Sequence, residues 1–228
     1  MLYDEKAARD SVRSRDGRRV FYLGRGDQLT SAARDWLGRQ RIDILPADQA
    51  KPARYRLLSG ATLEEKPEHM THLNGDLLVP KTHPRIEFRG KMDTLEAELL
   101  LCRLEAPETG EKVGQVLALA RNILRWEVLE EPAEVTTLCG LTEAQQRRIS
   151  HFPQETYGIP HFMPESGDGI AVLRLNRARC AAREAELAAV RAFRDREGNP
   201  TRVDLLRALN RMSIMLYILM IESKAGKL

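Results

Sequence analysis

The chain has 228 residues, of which 43% are hydrophobic and 30% charged, with a formal net charge of +3. These values exclude intrinsic disorder and allow one good core, or a core plus a small appendage. The 36 basic residues are nearly balanced by 33 acidic ones and aromatics are only 5%, which disfavours nucleic-acid binding through interleaved basic and aromatic side chains.

Only eight of the basic residues are Lys and the other 28 are Arg. Such an excess suits fixed contacts to oxyanions, and a GC-rich genome produces it equally well. Cys102, Cys139 and Cys180 are far apart and odd in number, as expected for reduced thiols in a cytosolic protein. No stretch reads as a signal peptide, and the most apolar run, Ile214 to Ile221, is too short to span a bilayer, so neither export nor membrane insertion is expected.

Residues 1–26 are charged and aperiodic, and read as a flexible or short-strand arm in which Val20 to Leu23 is the one strand candidate. Thr30 can cap a helix with Ala33, Trp36 and Leu37 on one face, followed by a short strand from Ile42 to Leu45. Residues 46–80 hold Pro46, Pro52, Gly60, Pro67, Gly75 and Pro80 without a long period, the pattern of a linker or lid. His69, His72 and His83 lack the spacing and the cysteine companions of a tight ligand set, so no protein-held metal is expected.

From Lys81 to Leu104 the residues Phe88, Met92, Leu95, Leu99 and Cys102 repeat at four, three, four and three, a bundle-type stripe entered at Pro84 and closed by Pro107. Arg85, Arg89, Asp93 and Glu96 form a polar line beside it, which taken alone is an exposed ion-pair row. A helix from about Glu111 to Glu130 reads as core packing without chemistry, and Thr142 with Gln145 forms a capping box for a shorter one. His151 to Gly169 is a Pro- and Gly-rich loop carrying Phe152, Tyr157 and Phe162; its length and aromatics mark it as functional.

The stretch Asp168 to Arg196 is the centre of the chain. Asn176, Arg179, Arg183 and Glu186 share one helical face, flanked by a surface of small apolar residues suited to close packing. This face is either surface charge with Arg–Glu pairs or an anion site, since guanidinium forks match phosphate oxygens. Residues 197–200 break the helix, Thr201 and Asp204 are cap candidates, and the final helix is apolar nearly all round except for Asn210 and Arg211. A buried Asn or Arg needs a partner, either a neighbouring helix or a ligand.

The segments VPKTHPRIEFRGKMDTLEAE, HFMPESGDG, NRARCAAREAE and ALNRMSIMLYIL, in this order, resemble the ATP:cob(I)alamin adenosyltransferases of the propanediol-utilisation type and their ethanolamine-utilisation relatives. DQLTSAARDWLGRQRIDI and KPEHMTHL resemble the ethanolamine-utilisation branch in particular. Two features of those families are missing: the Cys-Cys-x-x-Cys cluster that members of that branch can carry, and the Gly- and Thr-rich N-terminal phosphate loop of the propanediol-utilisation type.

The resemblance implies a mainly α fold, a five-helix bundle over residues 81–228 with a small N-terminal α/β appendage over residues 1–80. It implies that ATP, cobalamin and Mg²⁺ take part, and that Lys81, Arg85, Arg179, Arg183, Glu186 and Asn210 bind the nucleotide. Arg179, Arg183 and Asp93 would be the catalytic set, Asp93 pairing with Arg179 across a subunit boundary of a homotrimer, with Phe162 facing cobalamin. The implied location is the cytoplasm, with a bacterial microcompartment shell or a cobalamin-dependent enzyme as partner and neither nucleic acid nor membrane. The alternative is an inactive helical cargo or assembly protein of a microcompartment that keeps nucleotide or cobalamin binding.

Overall fold

In the computed structural model, which describes residues 1–15, 18–50 and 55–228, the chain divides between His83 and Pro84 into two units. The first unit is richer in structure than its sequence pattern suggests. Its elements are β1 (Leu2–Tyr3), α1 (Glu5–Asp10), β2 (Arg13–Arg15), β3 (Arg18–Leu23), β4 (Gln28–Leu29), α2 (Ser31–Arg39), β5 (Asp43–Pro46), β6 (Tyr55–Leu57), β7 (Thr62–Leu63), β8 (Met70–Asn74) and β9 (Leu77–Pro80).

Seven of these strands form one mixed sheet in the order β5-β3-β2-β7-β6-β9-β8, while β1 and β4 pair separately. The charged stretch at the start is therefore not an arm: Asp4 caps α1 by accepting from the Ala7 amide, and Ala8 packs with Phe21, Ala33, Leu37 and Ile42 in a small core. Nor are residues 55–80 a linker. Gly60 and Gly75, both at positive φ, turn the chain between paired strands. These strands run for two to five residues, too short to display a sustained period of two, which is why pattern alone missed them. Pro52 lies outside the described residues.

The second unit is the helical bundle. It comprises α3 (Pro84–Glu105), α4 (Gly110–Leu129), a hairpin of β10 (Thr137–Leu138) and β11 (Leu141–Thr142), α5 (Glu143–His151), α6 (Pro153–Tyr157), α7 (Gly169–Ala192) and α8 (Val203–Lys224). Five helices build the bundle as expected, and α6 is a single turn within the Pro-rich connection. Together the two units make the protein mainly α with a small α/β appendage.

The predicted stripe of α3 is buried throughout, from Phe88 to Cys102. On α7 the buried positions 178, 181, 182, 185, 188 and 189 are all Ala, so the helix approaches its neighbours α3 and α8 closely and its larger polar residues are carried to the rims. The capping box at Thr142 forms, with Gln145 answering the Thr142 amide at 2.9 Å.

Two local expectations for the bundle fail. Neither Thr201 nor Asp204 caps α8, which begins at Val203. Asp204 instead ties the chain after α4 to α8, accepting from the Ala133 amide at 2.8 Å and from Arg202 at 3.0 and 2.9 Å. Burial alone would raise its carboxyl, yet these donors outweigh burial and hold it down at about 2. Nor is α4 devoid of chemistry, because Glu127 is fully buried within it. Among the described residues no helix is long and apolar enough to cross a membrane.

Candidate functional site

Helix α7 presents Arg179, Arg183 and Glu186 one turn apart, and α8 presents Asn210, Ser213, Ile214 and Tyr217 on its facing side; with Ser150 of α5 these eight residues line one open cleft of about 380 Å³. Four of the residues singled out from the sequence are thus brought together by two helices packed through alanines. Asn210 donates to the Glu186 carboxylate at a long 3.5 Å. Arg183 is exposed and, among the described residues, has no hydrogen-bond or ion-pair partner.

Arg179 is half-buried and lays its guanidinium over the Tyr217 ring, 5.4 Å from the centroid. A contact between a guanidinium and a ring face uses no N–H donor in a hydrogen bond, so the donors stay free for another partner. Two arginines against one carboxylate give the cleft a net positive character suited to a polyanion. The expected Arg–Glu pairing does not consume the stripe.

The Pro- and Gly-rich loop after α5 reaches the same place. Phe162 is half-buried, stacks on Tyr217 with centroids 6.4 Å apart, and lies 4.4 Å from the Lys224 ammonium. His161 stacks on Tyr217 as well, nearly parallel at 6.0 Å, and its Nδ1 lies 2.8 Å from the Tyr217 hydroxyl. Farther along, Tyr157 donates to Glu222 at 2.7 Å, and Lys224 holds Asp168 at 2.5 Å. The loop is therefore fastened along the C-terminal half of α8. Burial raises the Tyr217 phenol above its ordinary range, partly opposed by the Phe162 amide and by Arg179.

A further hollow of about 290 Å³ continues the cleft, sharing Asn210 and Ile214 and adding Glu143, Gln146, Arg147, His151 and Arg211. Arg211 is buried and pairs with Glu143. It thus pairs with a neighbouring helix through Nη2, while its buried Nε has no hydrogen-bond partner among the described residues; Asn210, its neighbour in sequence, is exposed to the cleft.

The remaining predicted residues lie elsewhere. Arg85 and Arg89 of α3 converge on Glu127: Arg85 Nε reaches its carboxylate at 2.5 Å, Arg89 Nε at 2.7 Å, and Arg85 Nη2 the Glu127 carbonyl at 2.9 Å. Arg85 also contacts Glu130 at 3.3 Å and lies over the Phe193 ring. Asp93 is exposed on α3 and has no hydrogen-bond or ion-pair partner among the described residues of the chain. Lys81 belongs to the N-terminal unit, where it pairs with the exposed Glu68 at 3.0 Å. His72 sits in β8 against the Gly75 carbonyl and the Tyr55 ring. Among the described residues no group of three or more His, Cys, Asp or Glu side chains is arranged to hold a metal ion.

The sequence profile of the cobalamin adenosyltransferases matches residues 61–223. The chain belongs to that family. Among curated cobalamin adenosyltransferases it is similar to the corrinoid adenosyltransferase EutT of Salmonella typhimurium, 33% identical over 162 residues, which cover 71% of this chain and 61% of that protein. It is likewise similar to the corrinoid adenosyltransferase EutT of Escherichia coli K12, 32% identical over 160 residues, 70% of this chain and 60% of the relative. The chain thus spans about three-fifths of the length of the curated relatives it matches. No solved structure matches it.

Sequence reasoning singled out none of Ser150, Ser213 and Tyr217, which line the cleft, nor His161, which packs on Tyr217. Positions 210, 213, 214 and 217 repeat at three, one and three, so Tyr217 lies on the same face of α8 as Asn210; that spacing was available as a signal.

Proposed function

We propose that this protein transfers the 5′-deoxyadenosyl group of ATP to cob(I)alamin, giving adenosylcobalamin and triphosphate. Family membership and the names of the relatives support the reaction class. The observation that carries it for this chain is the cleft in which Arg179, Arg183 and Glu186 of α7 meet Asn210 of α8, with Phe162 of the loop stacked on Tyr217 of the same cleft.

In this reading the cobalt of the reduced corrinoid attacks the 5′ carbon of ATP, the C–O bond to the triphosphate breaks, and the triphosphate leaves with the bonding pair. The nucleophile belongs to the substrate, so no Ser-His-Asp or Cys-His set is required of the protein. What the residues supply is placement and charge. Arg179 and Arg183 receive the negative charge that grows on the leaving triphosphate, and Glu186 and Asn210 orient the nucleotide. Phe162, with His161 and Tyr217 behind it, presents an apolar face that excludes water from a strongly reducing centre.

Mg²⁺ would enter with the nucleotide. Such an ion takes one or two carboxylates besides phosphate oxygens, and Glu186 is a carboxylate of the cleft that fits that part; when bound, the ion neutralises phosphate charge. Lys81 enters the reading on its motif. Arg85 would have to exchange Glu127 or Glu130 for a phosphate oxygen to contribute.

We extend the proposal to a homotrimer in which Asp93 of one subunit meets Arg179 of the next; the exposure of Asp93 and its lack of a partner within the described chain support this. The exposed Leu100, Leu104, Leu187 and Val190 of α3 and α7 would be covered in the same contact. A cytoplasmic site of action in company with an ethanolamine-utilisation microcompartment follows from the sequence resemblance.

The test is anaerobic incubation of the purified protein with ATP, Mg²⁺ and chemically reduced cobalamin, following loss of the cob(I)alamin absorbance, after chelation and with Fe²⁺ or Zn²⁺ restored. Conversion in the chelated protein with Mg²⁺ alone is expected. No conversion by folded protein under any of these conditions would refute the proposal, and ATP binding without turnover would favour the nucleotide-binding cargo protein.

A further inference from the structure

Three parts of the bundle meet on one side chain. The Tyr217 ring carries the Arg179 guanidinium at 5.4 Å from its centroid, the His161 ring at 6.0 Å with an interplanar angle of 6°, and the Phe162 ring at 6.4 Å and 29°. Its hydroxyl lies 2.8 Å from His161 Nδ1, and the other nitrogen of that imidazole, Nε2, lies 3.2 Å from the carbonyl of His151 at the end of α5. Tyr217 therefore touches the cationic wall of the cleft through its ring and the aromatic loop through both its ring and its hydroxyl.

We propose that Tyr217 is a positioning residue that couples the two substrate sites: its ring orients Arg179 toward the triphosphate while its hydroxyl, through His161, seats the loop that carries Phe162. The inference rests on the adenosyl-transfer reading for the identity of the two ligands. The physical argument is preorganisation. A long Arg side chain free in solvent loses rotamer freedom when it grips an anion, and a ring that already holds its face removes part of that cost without using an N–H donor. The loop gains in the same way, because His161 is fixed at both nitrogens, and Phe162, next in the chain, is held in turn.

The two functions of Tyr217 are separable by chemistry. Tyr217→Phe keeps the ring and removes the hydroxyl; Tyr217→Leu removes both; His161→Ala removes the loop's side of the contact alone. Steady-state turnover yields KM for ATP and for cob(I)alamin, and calorimetric titration with ATP reads nucleotide affinity without turnover.

Tyr217→Phe and His161→Ala are expected to raise KM for cob(I)alamin by about 2- to 13-fold, the range of one net hydrogen bond, with ATP affinity unchanged. Tyr217→Leu is expected in addition to weaken ATP binding by about 2- to 30-fold, the range of a cation–π contact. A merely structural role would make Tyr217→Phe and His161→Ala move both KM values together, or neither, and would give Tyr217→Leu and Tyr217→Phe the same ATP affinity; either result overturns the proposal. Wild-type protein that binds ATP but makes no adenosylcobalamin would sink the adenosyl-transfer reading separately, and equal ATP affinities of Tyr217→Leu and wild type would then sink this one by calorimetry alone.

Discussion

Glu127 is the residue whose loss should be felt most in the fold. Its side chain is fully buried, while its partners Arg85 and Arg89 are only 16% and 19% exposed. The carboxylate receives Nε of Arg85 at 2.5 Å and Nε and Nη2 of Arg89 at 2.7 and 3.2 Å. Glu127→Ala strips the anion and leaves two guanidiniums largely out of water. Breaking a buried pair from one side costs about 3–5 kcal/mol.

Two features move the expectation to the low end of that range. Arg85 keeps its contacts with the Glu127 carbonyl and Glu130, and neither arginine is wholly enclosed. About 3 kcal/mol in a domain of this size corresponds to a fall in Tm of roughly 6–12 °C. Thermal unfolding followed by far-UV circular dichroism measures it. Replacing all three residues by apolar ones of similar volume, Arg85→Met, Arg89→Met and Glu127→Leu together, should recover most of the loss, because the cost lies in the unpaired charges and not in the missing contacts. A Glu127→Ala protein within about 1 kcal/mol of wild type would refute the argument, since it would mean that water already reaches the cluster.

Other outcomes follow from the same reasoning. Arg183→Ala should keep the fold and Tm while turnover falls by about 10²- to 10³-fold, the usual cost of losing one preorganised donor to a developing anion; on the same helix, Arg174→Ala, which breaks the two bonds to Glu105 at 2.7 and 2.6 Å, should leave turnover unchanged. Asp204 has its folded pKa at about 2, below its ordinary 3.8, so its contribution is present above about pH 4 and is lost as the pH falls toward 2. That contribution is at most about 2 kcal/mol before solvent screening, and Asp204→Asn should flatten the acid limb of a stability-versus-pH curve by that amount. Burial pushes the Cys139 thiol up to about 11, so at pH 8 only about 0.1% is thiolate; mass spectrometry should find Cys139 alkylated by iodoacetamide far more slowly in native than in urea-unfolded protein, and equal rates would contradict the burial.

The bundle was legible in the sequence because its helices are long enough to express their period. Phe88 to Cys102, the alanines of α7 and the nearly uniform apolar surface of α8 all fall inside the core. The N-terminal sheet was not legible, because most of its strands run for two to four residues and pair with partners distant in sequence, as Arg13 does with Thr62 and Arg56 with Leu77. Glu127 was hidden for a different reason. A Glu in the last turn of a helix that also carries Arg121, Asn122 and Arg125 has the same letter whether it points to water or to two arginines, and only the packing of α3 on α4 decides. In the cleft, Arg179, Arg183, Glu186 and Asn210 could be named from spacing and resemblance, while Tyr217 had only its spacing of seven from Asn210 to set it apart from the aromatic packing of a central helix.

Helix α7 separates its charges by angle into two sets. At 100° per residue, Arg174, Arg177, Glu184 and Arg191 fall within one sector, and Arg179, Arg183 and Glu186 within another roughly 150° away. The former sector is answered within the chain: Arg174 by Glu105, Arg177 by Glu98, Glu184 by Lys91 and Arg191 by Glu87, all from α3. The latter faces α8, which offers one long contact from Asn210 and the face of Tyr217, and no carboxylate. An exposed guanidinium without a partner is not by itself evidence of a ligand. Here, however, the same helix satisfies its arginines with acids on one side and leaves them with neutral donors and an aromatic ring on the other. An acid opposite Arg179 and Arg183 would compete with an incoming phosphate, whereas Asn210, Ser213 and Tyr217 orient and hydrogen-bond without competing. The division of α7 into a paired face and an unpaired one is what a helix needs in order to hold a bundle together and bind a polyanion at once.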